Sequence, residues 1–89
     1  MKHRTVPRFW HCYAQLPKDA RGLADKNFEL LKTNPYHPSL HLKKVDDAKK
    51  LWLVRIGLHY RALGVETADA LVWFWVGSHA EYDALIAGA

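Results

Sequence analysis

Apolar positions along this chain change period part-way, from a helical spacing to a strand-like alternation. Over residues 5–16, Phe9, Cys12 or Tyr13, and Leu16 recur at helical spacing behind Thr5, a candidate N-cap. Pro7 fits only a first turn, so the helix starts about there. After Leu16-Pro17 a second stripe runs through Ala20, Leu23, Ala24, Phe28 and Leu31, with Lys18, Asp19, Arg21, Asp25, Lys26, Glu29 and Lys32 mostly on the other side. It should stop at Asn34-Pro35, because a residue before proline is pushed out of the helical region. Two helices joined at a proline, each apolar on one face, form a hairpin that needs a second layer.

The second half supplies that layer. Leu40 to Val45 alternates, Asp46 to Lys50 interrupts with charge, and Leu51 to Ile56, Tyr60 to Val65 and Ala70 to Gly77 read as further strands. The last is apolar on both faces and should be an inner strand. Met1 to Arg4 reads poorly as a strand, so none is expected ahead of the helices. Ser78-His79-Ala80-Glu81 has the form of a capping box, with Tyr82, Leu85 and Ile86 at helical spacing after it and Gly88 to close the helix. The expected fold class is α+β: an N-terminal helical hairpin packed on a mostly antiparallel sheet of about four strands, then a short C-terminal helix, all in a single domain, 1–89.

Composition narrows the class. Hydrophobic residues at 49% with 25% charged exclude a disordered chain. No apolar run is long enough for a membrane span, and no apolar block follows the basic start, so neither a membrane association nor a secretion signal is expected. A single cysteine, Cys12, forms no internal disulfide, which points to the reducing cytoplasm and, within the stripe of Phe9 and Leu16, to a buried thiol. The net charge of +4 makes a polyanion a plausible partner.

Chemistry could reside in several places. Arg55 and Arg61 flank the Gly57 turn. With a two-residue turn Arg55 faces Tyr60, while a three-residue loop sets the two arginines directly opposite each other, where they repel unless an anion lies between them. Two ordinary surface arginines are the plainer alternative. His79 occupies the first turn of the terminal helix, where it either serves as a proton donor or acceptor at a phosphodiester or only bonds locally. Tyr82, one turn on, either stacks on a base or assists the acid–base step, or packs with Leu85 and Ile86. Lys43, Lys44, Lys49 and Lys50 bracket Asp46-Asp47 in a hairpin that either follows a phosphate backbone or is a solvated turn. Trp52, Trp73 and Trp75 read as core, and Trp10 as exposed at a partner surface. His37 and His41 have a ligand-like gap, but Pro38 interrupts it and nothing completes a tetrahedron, so no metal is expected.

Three stretches resemble the RelE/ParE toxin superfamily of bacterial type II toxin–antitoxin systems: Asn34-Pro-Tyr-His-Pro-Ser-Leu40, Trp52-Leu-Val-Arg-Ile-Gly-Leu-His-Tyr-Arg-Ala-Leu-Gly64 and Val72-Trp-Phe-Trp-Val-Gly-Ser-His-Ala-Glu-Tyr-Asp83. The resemblance implies a ribosome-dependent endoribonuclease that cuts messenger RNA without metal or other cofactor, by attack of the ribose 2′-hydroxyl on the adjacent phosphate. Arg55 and Arg61 would then hold the phosphate, His79 act as acid or base, Tyr82 stack or assist, and the four lysines meet ribosomal RNA. A cognate antitoxin would cover the same surface. The ParE-like alternative is a DNA gyrase inhibitor without catalytic residues, and a third is an inactive toxin kept as a binding module. Two departures stand out: the missing first strand, and the negative charge of Glu81 and Asp83 beside the proposed phosphate.

Overall fold

The computed structural model describes residues 2–87. Its five-stranded sheet has the order β1-β5-β4-β3-β2, with β1 (Lys2–Thr5), β2 (Lys43–Asp46), β3 (Leu51–Ile56), β4 (Tyr60–Glu66) and β5 (Ala70–Ser78). Helices α1 (Pro7–Ala14) and α2 (Lys18–Thr33) separate β1 from the rest, and α3 (His79–Ala87) follows β5 directly. Gly88, expected to close α3, lies outside the described residues. No helix among the described residues is long and apolar enough to cross a membrane.

The first strand, judged absent from its sequence, is present. Lys2 to Thr5 pairs in parallel with Ala70 to Trp73, one side of each residue pair coming from the far end of the chain. Local pattern did not reveal it because a four-residue edge strand alternates only between exposed and half-buried positions, and its hydrogen bonds come from a partner distant in sequence. The sheet therefore has five strands rather than four, and the other three pairings are antiparallel. Val6, not Thr5, stands at the N-cap of α1, and the Thr5 hydroxyl instead accepts a hydrogen bond from Trp10 Nε1 at 2.9 Å. The segment before β2 also differs. Pro38–Leu40 is a short 3-10 turn held by His37 Nδ1 on the Ser39 amide, His41 takes a left-handed φ of 47°, and pairing begins only at Lys43.

The helices do not close as a hairpin on each other so much as pack separately on one sheet face, α1 against β5 and α2 against β3. Tyr13 and Asp25 link them through a 2.7 Å hydrogen bond. The stripe expected for α2 is correct at its centre: Ala20, Ala24 and Leu31 are buried, while Leu23 is 41% exposed. They meet Val54, Ile56, Ala62, Leu71 and Trp73 in the main core. On the opposite sheet face Leu53, Leu63 and Trp75 form a smaller cluster with Val45, Phe74 and Tyr82. Trp73 and Trp75, two residues apart, would share a face in a regular strand. A bulge between Leu63 and Gly64 makes Phe74 the extra residue and turns Trp75 to the second face.

Trp73 is 2% exposed, and its indole N–H donates to His3 Nδ1 at 3.1 Å. Its ring covers Gly64 so closely that an added Cβ would come within 2.8 Å of it. Gly64→Ala should therefore lower stability by about 1 to 3 kcal/mol, read from urea unfolding; an unchanged midpoint would show that the ring moves aside. A second expectation concerns pH. The indole can only donate, so His3 must present a bare Nδ1, and burial holds its pKa below the ordinary value. The unfolded chain then takes up the proton first, so stability is complete above a pH of about 6.5 and falls as pH drops through that value. Unfolding curves between about pH 7.5 and 5 should converge for the wild type and His3→Gln as the pH is lowered, whereas parallel curves would exclude His3 as the source.

Candidate functional site

The β3–β4 connection is the three-residue Gly57-Leu58-His59, with Gly57 at φ +63°. Ile56 pairs with Tyr60, and Arg55 stands directly opposite Arg61. Of the two registers left open by the sequence, this is the one that confronts two like charges. Both arginines share the parity of Leu53 and Leu63, which places them on the second face, away from α1 and α2. Arg61 is 6% exposed. Its Nη1 donates to the carbonyls of Tyr60 at 2.7 Å and Leu58 at 3.3 Å, so the guanidinium is folded back on its own loop. No ion pair among the described residues involves either arginine. Burial, and then the charge of Arg55, push Arg61 below the usual guanidinium range, while Asp83 and Tyr82 pull it back.

Those last two residues belong to α3, which the capping box brings against this face. Ser78 Oγ accepts from the Glu81 amide at 3.0 Å, and Glu81 Oε1 accepts from the Ser78 amide at 2.9 Å. Gly77, opposite Arg61, leaves room for this: a Cβ there would lie 2.5 Å from the Trp75 ring and 3.1 Å from Glu81 Oε1. The His79 amide donates to the His59 carbonyl at 2.7 Å, extending the β4–β5 ladder past the strand ends. His79 Nε2 lies 3.4 Å from Asp83 Oδ1 on the exposed side of the helix. Tyr82 is half-buried against the second cluster. Burial, and then the Asp83 carboxylate, hold its phenol above the ordinary value, with Arg61 opposing. Tyr82 does not pack into a core with Leu85 and Ile86, which are each 43% exposed.

The structure thus brings Arg55, Arg61, His79 and Tyr82 to one end of one face. It separates the lysines. Lys43 pairs with Leu53 and shares the arginine face, but Lys44 lies over the Trp52 ring and reaches Glu66 at 3.4 Å on the other. Lys49 and Lys50 occupy the β2–β3 turn, and Arg55 lies four residues of extended strand beyond Leu51, on the order of 13 Å further on. Trp10 is 47% exposed, as expected, and Cys12 is half-buried rather than buried. His37 spends its Nδ1 on Ser39, and among the described residues no group of three or more His, Cys, Asp or Glu gathers as a metal site. A cleft of about 350 Å³ lies between the end of α1 and the end of β5, lined by His11, Gln15, Tyr60, Gly77, Ser78 and Glu81.

The ParE-like toxin domain matches residues 23–84, more than half of the sequence. The chain belongs to that family. It is thereby a member of the RelE/ParE toxin superfamily. No curated protein matches it significantly. Among solved structures the domain is similar to YafQ from E. coli, at 13% identity and a TM-score of 0.71, over 91% of this chain and 96% of that one. It is similar also to the RelB-RelE antitoxin–toxin complex of Methanococcus jannaschii, at 18% identity and 0.70, over 91% and 96%. The RelBE2 toxin–antitoxin complex of Mycobacterium tuberculosis matches at 17% and 0.68, over 88% and 96%.

Two features of this ParE-like domain escaped sequence reasoning. His59 has no role legible in the sequence, because its proximity to His79 follows only from the loop length and the β4–β5 register. Gly77 belongs to the resembling stretch, but the reason for a glycine there lies in the structure, where the Trp75 ring lies across it. The arginine confrontation itself generates a prediction. Arg55→Gln removes a like charge opposite a buried guanidinium, so it should raise stability at low ionic strength by about 0.5 kcal/mol. It should also abolish any gain in melting temperature that inorganic sulfate confers on the wild type. A lower melting temperature for Arg55→Gln at every ionic strength would mean that the two arginines do not repel.

Proposed function

We propose that this ParE-like domain is the toxin of a type II toxin–antitoxin pair and acts as a ribosome-dependent messenger RNA endoribonuclease. The observation that carries the reading is the direct opposition of Arg55 and Arg61 beside His79 and Tyr82, with no ion-paired acid on either guanidinium among the described residues. Two arginines set opposite each other on adjacent strands can close on one phosphate, and the nearly buried Arg61 attracts an anion more strongly than it would in water. The nucleophile is supplied by the substrate, whose ribose 2′-hydroxyl attacks the adjacent phosphorus as the bond to the 5′-oxygen breaks. Arg55 and Arg61 neutralise the charge that builds on the phosphoryl oxygens. His79 moves a proton, and Tyr82 stacks on the neighbouring base or assists. Lys43 extends the basic face along the RNA, and Lys44, Lys49 and Lys50 contact ribosomal RNA.

The same surface is the natural target of a cognate antitoxin, through an acidic or amphipathic segment. Support comes from relatives of this fold solved as RelB-RelE complexes. A second reading is favoured by one observation, the acids Glu81 and Asp83 on α3, which disfavour a polyanion and suit a protein surface. In that reading the domain binds DNA gyrase, or acts only as a binding module, and cuts nothing.

Primer extension on a defined message in a bacterial translation extract separates the two. Cuts in phase with codons, seen only with ribosomes and lost in His79→Ala by at least about 100-fold, are expected for the nuclease. Intact message with the wild-type protein would move the assignment to gyrase binding or to a toxin without chemistry, and full cutting by His79→Ala would remove His79 from the site.

A further inference from the structure

Cleavage by a 2′-hydroxyl needs two proton transfers, one from the nucleophile and one to the departing 5′-oxygen, and the four residues already placed at the site include one imidazole. Arginine stays charged throughout and exchanges no proton near neutrality. Tyr82 is half-buried, with its phenol held above the ordinary value. Of the neighbours of His79, His59 is the imidazole whose backbone bonds it directly. The amide of His79 bonds to its carbonyl at 2.7 Å, which in an antiparallel ladder puts the two α-carbons on the order of 5 to 6 Å apart. By alternation His59 has the parity of Arg61, and His79 opens α3 directly after Ser78, two residues past Gly77, the residue opposite Arg61. The side chain is exposed, and among the described residues it enters no hydrogen bond or ion pair.

Its backbone is also held. The Arg61 guanidinium bonds the carbonyls of Leu58 and Tyr60, the residues on either side of His59, and the His79 amide bonds the carbonyl of His59 itself. Three consecutive carbonyls, from Leu58 to Tyr60, are therefore tied to the two site residues, which fixes the backbone that carries the imidazole. The partners of the two histidines differ. Asp83 beside Nε2 of His79 favours hydrogen on that nitrogen and leaves Nδ1 as a lone pair, the arrangement of a base. Among the described residues no carboxylate pairs with His59.

We propose that His59 is a second catalytic residue, the general acid that protonates the leaving 5′-oxygen while His79 takes the proton of the 2′-hydroxyl. The inference rests on the nuclease reading above. In the step, the O2′–P bond forms and the P–O5′ bond breaks. The 2′ proton ends on His79, the His59 proton ends on the 5′-hydroxyl, and the products are a 2′,3′-cyclic phosphate and a free 5′ end. Arg55 and Arg61 hold the phosphoryl oxygens between the two rings.

The test uses a short message bound to ribosomes with one scissile linkage, made either with the ordinary 5′-oxygen or with a bridging 5′-sulfur, whose thiolate leaves without being protonated. Single-turnover cleavage by wild type, His59→Ala, His59→Gln and Tyr82→Phe is compared after melting curves have been matched. On the ordinary linkage both His59 variants should be slower by at least about 100-fold, and on the sulfur linkage they should return to within a few-fold of the wild type. Equal loss on both linkages would make His59 a binding or positioning residue and overturn the proposal. So would an unaffected rate, or the sulfur rescue appearing in Tyr82→Phe instead. A wild type that cuts neither linkage would overturn the nuclease reading itself, and this assignment with it.

Discussion

A buried indole must find an acceptor for its one N–H, and in this fold that requirement falls on Trp73, at the centre of the inner strand. The acceptor is His3, which is in place only when the first residues of the chain pair in parallel with β5. The ring also needs a neighbour without a side chain, supplied by Gly64 on β4. One aromatic residue therefore couples the chain's beginning, its last strand and the hairpin that carries the arginines. The Val6 amide on the Trp73 carbonyl adds a backbone tie at the point where β1 gives way to α1.

From Trp73 the bulge follows, and from the bulge the site. Because Phe74 is inserted into β5, the strand changes faces between its two tryptophans, and Trp75 covers the side that the helices leave bare. Beyond the bulge the register brings Gly77 opposite Arg61 and Ser78 opposite Tyr60, so that α3 begins against the β3–β4 loop. The capping box then anchors that start. A slip of one residue would send Arg61 into the main core and detach His79 from His59. The position of the candidate chemistry is thus a consequence of how a large aromatic pair is accommodated.

The electrostatics run against stability. The register sets Arg55 opposite Arg61, one of them nearly fully buried, with Asp83 near enough to act on Arg61 but not paired with it among the described residues. Local arrangements that work against the rest of a fold are where function is expected to lie. The weak burial of α3, which has no fully buried residue, belongs with this: the helix is held by its cap, its amide bond to His59 and Tyr82 more than by a core of its own.

Much of this was written in local pattern. The helical stripes, the proline stops, the four strands of the second half and the capping box at Ser78 to Glu81 each follow from the preferences of a few consecutive residues, and local preferences act whether or not the rest of the chain has folded. The RelE/ParE resemblance and the candidates Arg55, Arg61, His79 and Tyr82 were legible for the same reason, as short motifs. Folding in three dimensions decided what depends on partners far apart in sequence: the parallel β1, whose ladder lies about seventy residues away; the separate seats of α1 and α2 on the sheet; and the dispersal of the four lysines to two faces and a distant turn. It also decided the loop length that sets Arg55 against Arg61 and His59 beside His79. Register is a collective property, chosen by where Trp73 and Trp75 can be buried, and no window of sequence contains that information.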